Sequence, residues 1–220
     1  MPSPEIHPLT VQLLEHADRA DAGTVAILDR LQAAGVQLDT AAPGLVTEFA
    51  VIRAEDAARL TVGDAARTIA LETGERVQLP RLDSLTDEPA ILTSATTAAA
   101  GDPDNARMRL PRLVRAVVTQ AAQDGRAETI RNAKTVEGWT RGVDSNSCEL
   151  CRWWWRDGRV WPKTHHMPTH PGCTCVQVPA TEVQSRVSIS RRAGIDSDYR
   201  AELAARGALA ERFGKGRVTR

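Results

Sequence analysis

Apolar positions recur at steps of three and four residues along the first third of the 220-residue chain. Over residues 6–34 this spacing predicts one or two amphipathic helices that end near Gly35. Over residues 45–72 it predicts a second helical zone, interrupted at Gly63 and stopping at Gly74. Short helices are marginal alone in water, so we expect these to pack against other elements.

The helical spacing is lost between residues 77 and 106. Prolines punctuate this stretch, and the Ser/Thr/Ala run over residues 93–101 has no clear apolar face, which predicts a linker or an extended surface arm. A helix is then predicted from near Pro111, which suits a first helical turn, to Gly125. A further helical stretch over residues 126–136 would complete a helix pair.

Two short β-prone runs follow, WTRGV from Trp139 and CVQV from Cys175. Pairing them would form a small β-hairpin lobe over residues 139–179. A last helix is predicted over about residues 197–213. The predicted fold class is therefore α+β, mainly α with a small β lobe. The predicted divisions are an N-terminal helical region (1–76), a linker or arm (77–106), a domain containing the lobe (107–180) and a basic tail with a C-terminal helix (181–220).

Chemistry-bearing residues are concentrated in the predicted lobe. All four cysteines, all five tryptophans and three of the five histidines lie between Trp139 and Cys175. A C-x2-C pair can point two thiolates at one ion, and H-x2-C-x-C can complete a tetrahedron, so the spacing predicts a zinc site. The preferred ligands are Cys148, Cys151, His170 and Cys173. Cys175 either replaces His170 or lies just behind the site.

Two other interpretations of the cysteines stay open. Two disulfides would close strained small rings, and the N-terminal residues lack the pattern of a secretory signal, which favours a reducing compartment. Free or redox-active thiols are the other alternative, although the C-x2-C does not lie in the strand–helix pattern of a redox motif.

The tryptophan triplet, Trp153, Trp154 and Trp155, is flanked by Arg152 and Arg156. A small lobe needs large apolar side chains, so we expect two of the three indoles to pack over the zinc site. Consecutive residues cannot all point inward. The third indole, with the two arginines, would dock on a partner protein or stack on a nucleic-acid base. The protein partner is favoured because no wider basic groove is visible.

The leading enzymatic alternative rests on His165 and His166, which lie between the two cysteine pairs. This arrangement resembles zinc-stapled ββα-metal nucleases of the HNH type, with His165 as ligand and His166 as the base that activates water. The expected Asn and closing His are missing, however. A zinc module that binds DNA or RNA nonspecifically is a third possibility, since the spacing of a sequence-reading zinc finger is absent.

The order of motifs in residues 107–180 resembles the MuF-like minor head (head morphogenesis) proteins of tailed bacteriophages. The matching residues are Gly125-RAETIRNAK, Gly138-WTRGVD, Cys148-EL-Cys151, Gly158-RV and His170-PG-Cys173-T-Cys175-VQVP. The resemblance implies a structural, non-catalytic part of the virion, present in a few copies near the portal vertex. It implies a role in head assembly or in DNA packaging and delivery. Portal or capsid proteins would be its partners, and packaged DNA could be contacted nonspecifically. From the sequence itself no membrane span is expected, because no stretch is long and apolar enough.

Overall fold

A computed structural model describes residues 6–143 and 147–181. It is mainly helical with a small three-stranded antiparallel sheet, which confirms the predicted fold class. The elements are α1 (Pro8–Ala33), α2 (Leu38–Thr73), α3 (Glu88–Ala99), α4 (Pro103–Asn132), β1 (Val136–Gly142), α5 (Glu149–Trp155), β2 (Trp161–Pro162) and β3 (Val176–Thr181), with 3-10 turns at Leu82–Ser84 and Arg156–Gly158. The predicted C-terminal helix and basic tail lie outside the described residues.

Helices α1 and α2 correspond to the two predicted N-terminal zones, but α2 is longer than expected. It begins at Leu38 and runs without a break through Gly63 to a left-handed cap at Gly74. The predicted interruption at Gly63 is wrong. A single glycine inside a helix costs about 1 kcal/mol relative to alanine, and a long row of buried alanine, valine and isoleucine side chains on α2 offsets that cost.

Helix α3 occupies the stretch predicted to be a linker, so that prediction is wrong for residues 88–99. Three threonine hydroxyls bond to carbonyls four residues earlier: Thr93 to Pro89 at 2.9 Å, Thr96 to Leu92 at 2.8 Å and Thr97 to Thr93 at 3.0 Å. These bonds satisfy the hydroxyls without breaking the helix. The buried stripe is narrow and made mostly of alanine: Ile91, Ala95 and Ala99.

Helix α4 replaces the predicted helix pair with one continuous helix. It begins at Pro103, eight residues before the expected start at Pro111. Gly125 does not end it. A Cβ added at Gly125 would lie 2.9 Å from both Val62 Cγ2 and Leu85 Cδ1, so the glycine permits the close crossing of α4 and α2 instead of breaking the helix.

The predicted pairing of the two β-prone runs is confirmed. In the antiparallel β1–β3 ladder, Trp139 lies opposite Pro179 and Gly142 opposite Val176. A third, two-residue strand, β2, pairs with the other edge of β1, so the sheet order is β2-β1-β3. The lobe is therefore a three-stranded sheet and not a simple hairpin. Residues 143–175 connect the paired strands and carry every candidate metal ligand.

Arg126 of α4 links the helices to the sheet. Its side chain is almost completely buried, and its Nη1 donates to the Thr61 carbonyl at 3.0 Å and to Asp64 Oδ2 at 2.7 Å. Its Nε donates to the Gln177 carbonyl of β3. One guanidinium thus joins α4, α2 and β3.

Among the described helices, none is both long and apolar enough to cross a membrane.

Candidate metal centre

The C-x2-C segment forms a tight turn at the start of α5. Cys148 is the N-cap residue, and its Sγ accepts a hydrogen bond from the Cys151 backbone N–H at 3.4 Å. This bond satisfies one of the free donors in the first turn of the helix. It also turns the two sulfur atoms toward the same side, as a metal-binding knuckle requires.

The H-x2-C-x-C segment forms a second turn just before β3. The Cys173 N–H donates to the His170 carbonyl at 3.0 Å, and Gly172 adopts a left-handed conformation with φ +75°. The side chain of Gln123, on α4, holds this turn through two hydrogen bonds. Its Nε2 donates to the carbonyls of Cys173 at 2.6 Å and Cys175 at 3.0 Å.

The two turns bring the five predicted ligands into two adjacent groups of three. His170 Nε2 lies 3.3 Å from both Cys148 Sγ and Cys151 Sγ, and Cys151 Sγ lies 3.6 Å from Cys173 Sγ. The side chains form two groups, Cys148/Cys151/His170 and Cys151/Cys173/Cys175, which share Cys151. Tetrahedral zinc with Zn–S bonds near 2.3 Å places two sulfurs about 3.7 Å apart. The observed spacing fits, so the cluster could bind a metal ion.

The same distances bear on the disulfide alternative. All four cysteines are free. The 3.6 Å between Cys151 Sγ and Cys173 Sγ is far longer than a disulfide bond of about 2.05 Å. The cysteines therefore present separate sulfur donors.

Electrostatics within the cluster oppose full ionisation of its thiols. Contact with Cys151 and Cys175 lowers the pKa of Cys173 to about 2, because their thiols stabilise its thiolate. Contact with Cys173 and Cys175, together with burial, raises the pKa of Cys151. The pKa of Cys175 is raised to about 11: its contact with Cys151 lowers the pKa, but contact with Cys173, burial and the Cys173 charge outweigh it. Several adjacent thiolates therefore need a cation among them.

His170 and Cys148 shift each other's pKa. Burial lowers the pKa of His170, but the Pro171 carbonyl and the charges of Cys173 and Cys148 raise it overall. Burial raises the pKa of Cys148, yet hydrogen bonding from Cys151 and the charge of His170 lower it overall. An ionised thiol beside an imidazole is a donor pair that zinc prefers.

Two residues of the site, Gln123 and Arg141, were not predicted from the sequence. Gln123 lies about 50 residues from the carbonyls that it contacts. Arg141 is buried in β1, with its Nη1 3.9 Å from Cys151 Sγ. Neither belongs to a metal-ligand motif. The only available signal was the position of Arg141 in a run that was itself predicted to be a strand over the site.

The tryptophan triplet divides as expected between packing and exposure. Trp154 and Trp155 are half-buried and pack against the cysteine cluster. Trp153 is 58% exposed, and the Arg156 guanidinium lies over its ring, 4.2 Å from the centroid. Arg152 is exposed beside them. Trp153 and the two arginines are therefore available at the surface.

The two histidines of the nuclease alternative lie apart from the ligand groups. The His165 ring stacks on Trp161 with centroids 4.5 Å apart, and its carbonyl accepts from Trp139 Nε1 at 3.0 Å. His166 is exposed. Within residues 6–143 and 147–181, neither histidine belongs to a group that could hold a metal ion. The structure thus gives His165 an aromatic packing role and does not place it as a ligand.

Comparison with known proteins gives no relative for this chain: no family model matches it, and neither a curated protein nor a solved structure is similar to it.

Proposed function

We propose that the cluster between Cys148 and Cys175 holds a zinc ion whose role is structural. The observation that carries this proposal is the convergence of five sulfur and nitrogen donors from two turns, centred on Cys151. Thiolates with one imidazole are a donor set typical of structural zinc. The small core around the cluster consists mainly of the cysteines, Val143 and two half-buried indoles, so metal binding would supply much of the lobe's stability.

Removing a ligand tests this role. We expect Cys148→Ser and Cys173→Ser to lose zinc and to unfold residues 139–179, seen as loss of the near-UV tryptophan signal. The far-UV helical signal of α1–α4 should persist. His166→Ala, at an exposed residue outside the ligand groups, is the matched control and should keep its zinc. An unchanged near-UV signal with no metal lost in the cysteine variants would contradict the proposal.

We further propose that the chain is a minor head protein of a tailed phage virion, close to the portal. The support is the MuF-like order of motifs between Gly125 and Pro179, in which the C-x2-C and H-x2-C-x-C pair is the most specific part. Mass spectrometry of purified particles from the phage or prophage that encodes the chain tests the proposal. The expected result is a few copies per particle. Absence from particles that contain portal and capsid proteins would contradict it.

Within that role, the exposed group formed by Arg152, Trp153 and Arg156 is our candidate contact with a portal or capsid protein. An exposed tryptophan stacked by arginine has the composition of an interface hot spot. Trp153→Ala should weaken co-purification with the partner without releasing zinc. Leu92→Ala, an exposed leucine on α3, is the control and should leave co-purification unchanged. Equal binding by all three proteins would contradict the assignment.

We infer that the role of the chain is structural and not catalytic. Cleavage of DNA is the test, because a nuclease is the leading enzymatic alternative. Incubation of the zinc-loaded protein with plasmid and Mg²⁺ or Mn²⁺ should leave the plasmid uncut. Metal-dependent nicking that His166→Ala abolishes would support the nuclease alternative instead. Binding to packaged DNA, if it occurs, should be independent of sequence and weaken steeply with salt.

A further inference from the structure

Arg141 is a buried cation at the edge of the cysteine cluster. Its side chain is 2% exposed, and one Nη donates to the Pro168 carbonyl. The guanidinium carbon lies 5.2 Å from the centre of the Trp154 ring. Among residues 6–143 and 147–181, no carboxylate forms an ion pair with Arg141, and its buried Nε has no hydrogen-bond partner there.

A buried guanidinium needs a nearby negative charge, because removing it from water is costly unless it is paired. Arg126, the other buried arginine among the described residues, pairs with Asp64. Arg141 has the cysteine sulfurs instead: its Nη1 lies 3.9 Å from Cys151 Sγ. The only anion that the described residues offer Arg141 is therefore a thiolate.

We infer that Arg141 is the counter-ion of the metal centre and that the centre consists of three thiolates and one imidazole. The inference rests on the proposed zinc site. A zinc ion with three thiolates and a neutral histidine carries a net charge of −1, which Arg141 cancels. Four thiolates would leave the pair with an uncompensated negative charge inside the lobe, which burial penalises.

The distances join three members of this set directly and connect the fourth, Cys173, through Cys151. Cys151 lies 3.3 Å from His170 and 3.6 Å from Cys173, and Cys148 lies 3.3 Å from His170. Cys173 and Cys175 both belong to the group without Cys148 and His170. Cys173 Sγ lies 3.6 Å from Cys151 Sγ, whereas Cys175 Sγ lies 3.9 Å from the Ser147 hydroxyl. On these contacts we assign Cys173 as the third thiolate and Cys175 as a thiol behind the centre.

Arg141 also positions the ligand loop, because its bond to the Pro168 carbonyl lies two residues before His170. Two variants of the 220-residue chain test the contribution of Arg141. Arg141→Met keeps the apolar length of the side chain and removes both the charge and the bond to Pro168, whereas Arg141→Lys retains the charge. The measured quantity is zinc affinity, from competition with a chromophoric chelator.

We expect Arg141→Met to lower zinc affinity about 10- to 100-fold, as is typical for residues that support metal ligands. Arg141→Lys should recover most of the loss. Asp144→Asn is the control: Asp144 lies outside the described residues and is the nearest carboxylate in sequence. Its removal should leave affinity unchanged. An Arg141→Met affinity equal to the wild type, or an equal loss in Asp144→Asn, would overturn the inference.

A spectroscopic measurement on the wild type tests the ligand set even if Arg141→Met fails to fold. The cobalt-substituted protein should show the absorption of a tetrahedral site with three sulfurs and one nitrogen, and Cys175→Ala should leave that spectrum and the zinc content unchanged. A four-sulfur spectrum, or metal loss in Cys175→Ala, would overturn the ligand assignment. A wild type that binds no zinc would instead contradict the proposed function itself.

Discussion

Replacing Asp64 by alanine should destabilise the helical body because it leaves the buried Arg126 charge without a carboxylate. Breaking a fully buried ion pair typically costs about 3–5 kcal/mol. The Arg126 side chain is 1% exposed but that of Asp64 is 35% exposed, so water can reach the vacated position. Arg126 would also keep its bonds to the Thr61 and Gln177 carbonyls. We therefore expect a loss of about 2–3 kcal/mol in the free energy of unfolding, below the range for full burial.

The assay is thermal unfolding followed by far-UV circular dichroism, in the zinc-loaded protein at neutral pH. For a protein of this size the loss corresponds to a fall in Tm of about 4–12 °C. Asp83→Ala is the matched control, because Asp83 pairs with Arg81 at 2.6 Å but both side chains are exposed. Its Tm should not change.

A double variant separates the unpaired charge from loss of packing. Asp64→Ala combined with Arg126→Met removes both members of the pair, so much of the lost stability should return. Equal Tm values for Asp64→Ala and Asp83→Ala would refute the reasoning. A double variant less stable than Asp64→Ala would show that the hydrogen bonds of Arg126, and not its charge, dominate.

Two further predictions concern glycine packing and a helix cap. Gly125→Ala should lower the free energy of unfolding by about 1–2 kcal/mol, because the added methyl group would press against α2. Gly63→Ala has open space around it and should raise the free energy of unfolding by about 0.5–1 kcal/mol. Urea unfolding of both variants measures the contrast, and a gain in both would contradict the close crossing of α2 and α4. His7 Nδ1 caps α1 through the Leu9 N–H at 3.3 Å, and burial, followed by the Arg126 charge, lowers the pKa of His7. The stabilisation from this cap is complete above the unfolded pKa of about 6.5 and is lost as pH falls from there through the folded pKa, so Tm should decline over that range. Asparagine caps a helix without titrating, so His7→Asn should flatten the decline in Tm. An unchanged decline would exclude His7 as its cause.

The sequence predicted the fold best where local spacing and tertiary packing favour the same element. The end of α2 at Gly74 and the pairing of β1 with β3 follow from such local signals. The ligand cluster is similar, because C-x2-C and H-x2-C-x-C each form one turn whose geometry is largely set by that short spacing.

The predictions from sequence were wrong or incomplete where tertiary contacts, and not local spacing, determine the structure. Helix α3 shows little helical pattern, because alanines fill the narrow space between helices and threonines bond to their own backbone. Gly125 resembles a helix end in sequence but permits the crossing of α2 and α4. Arg141 and Gln123 reach the cluster from other elements, and no linear motif encodes such contacts.

The most direct test of a zinc-stapled lobe is elemental analysis of the purified full-length protein beside Cys151→Ser, since Cys151 is common to both ligand groups. The account predicts about one zinc per wild-type chain and none in the variant. A wild-type protein that carries no zinc, and takes up none when zinc is added under reducing conditions, would contradict it.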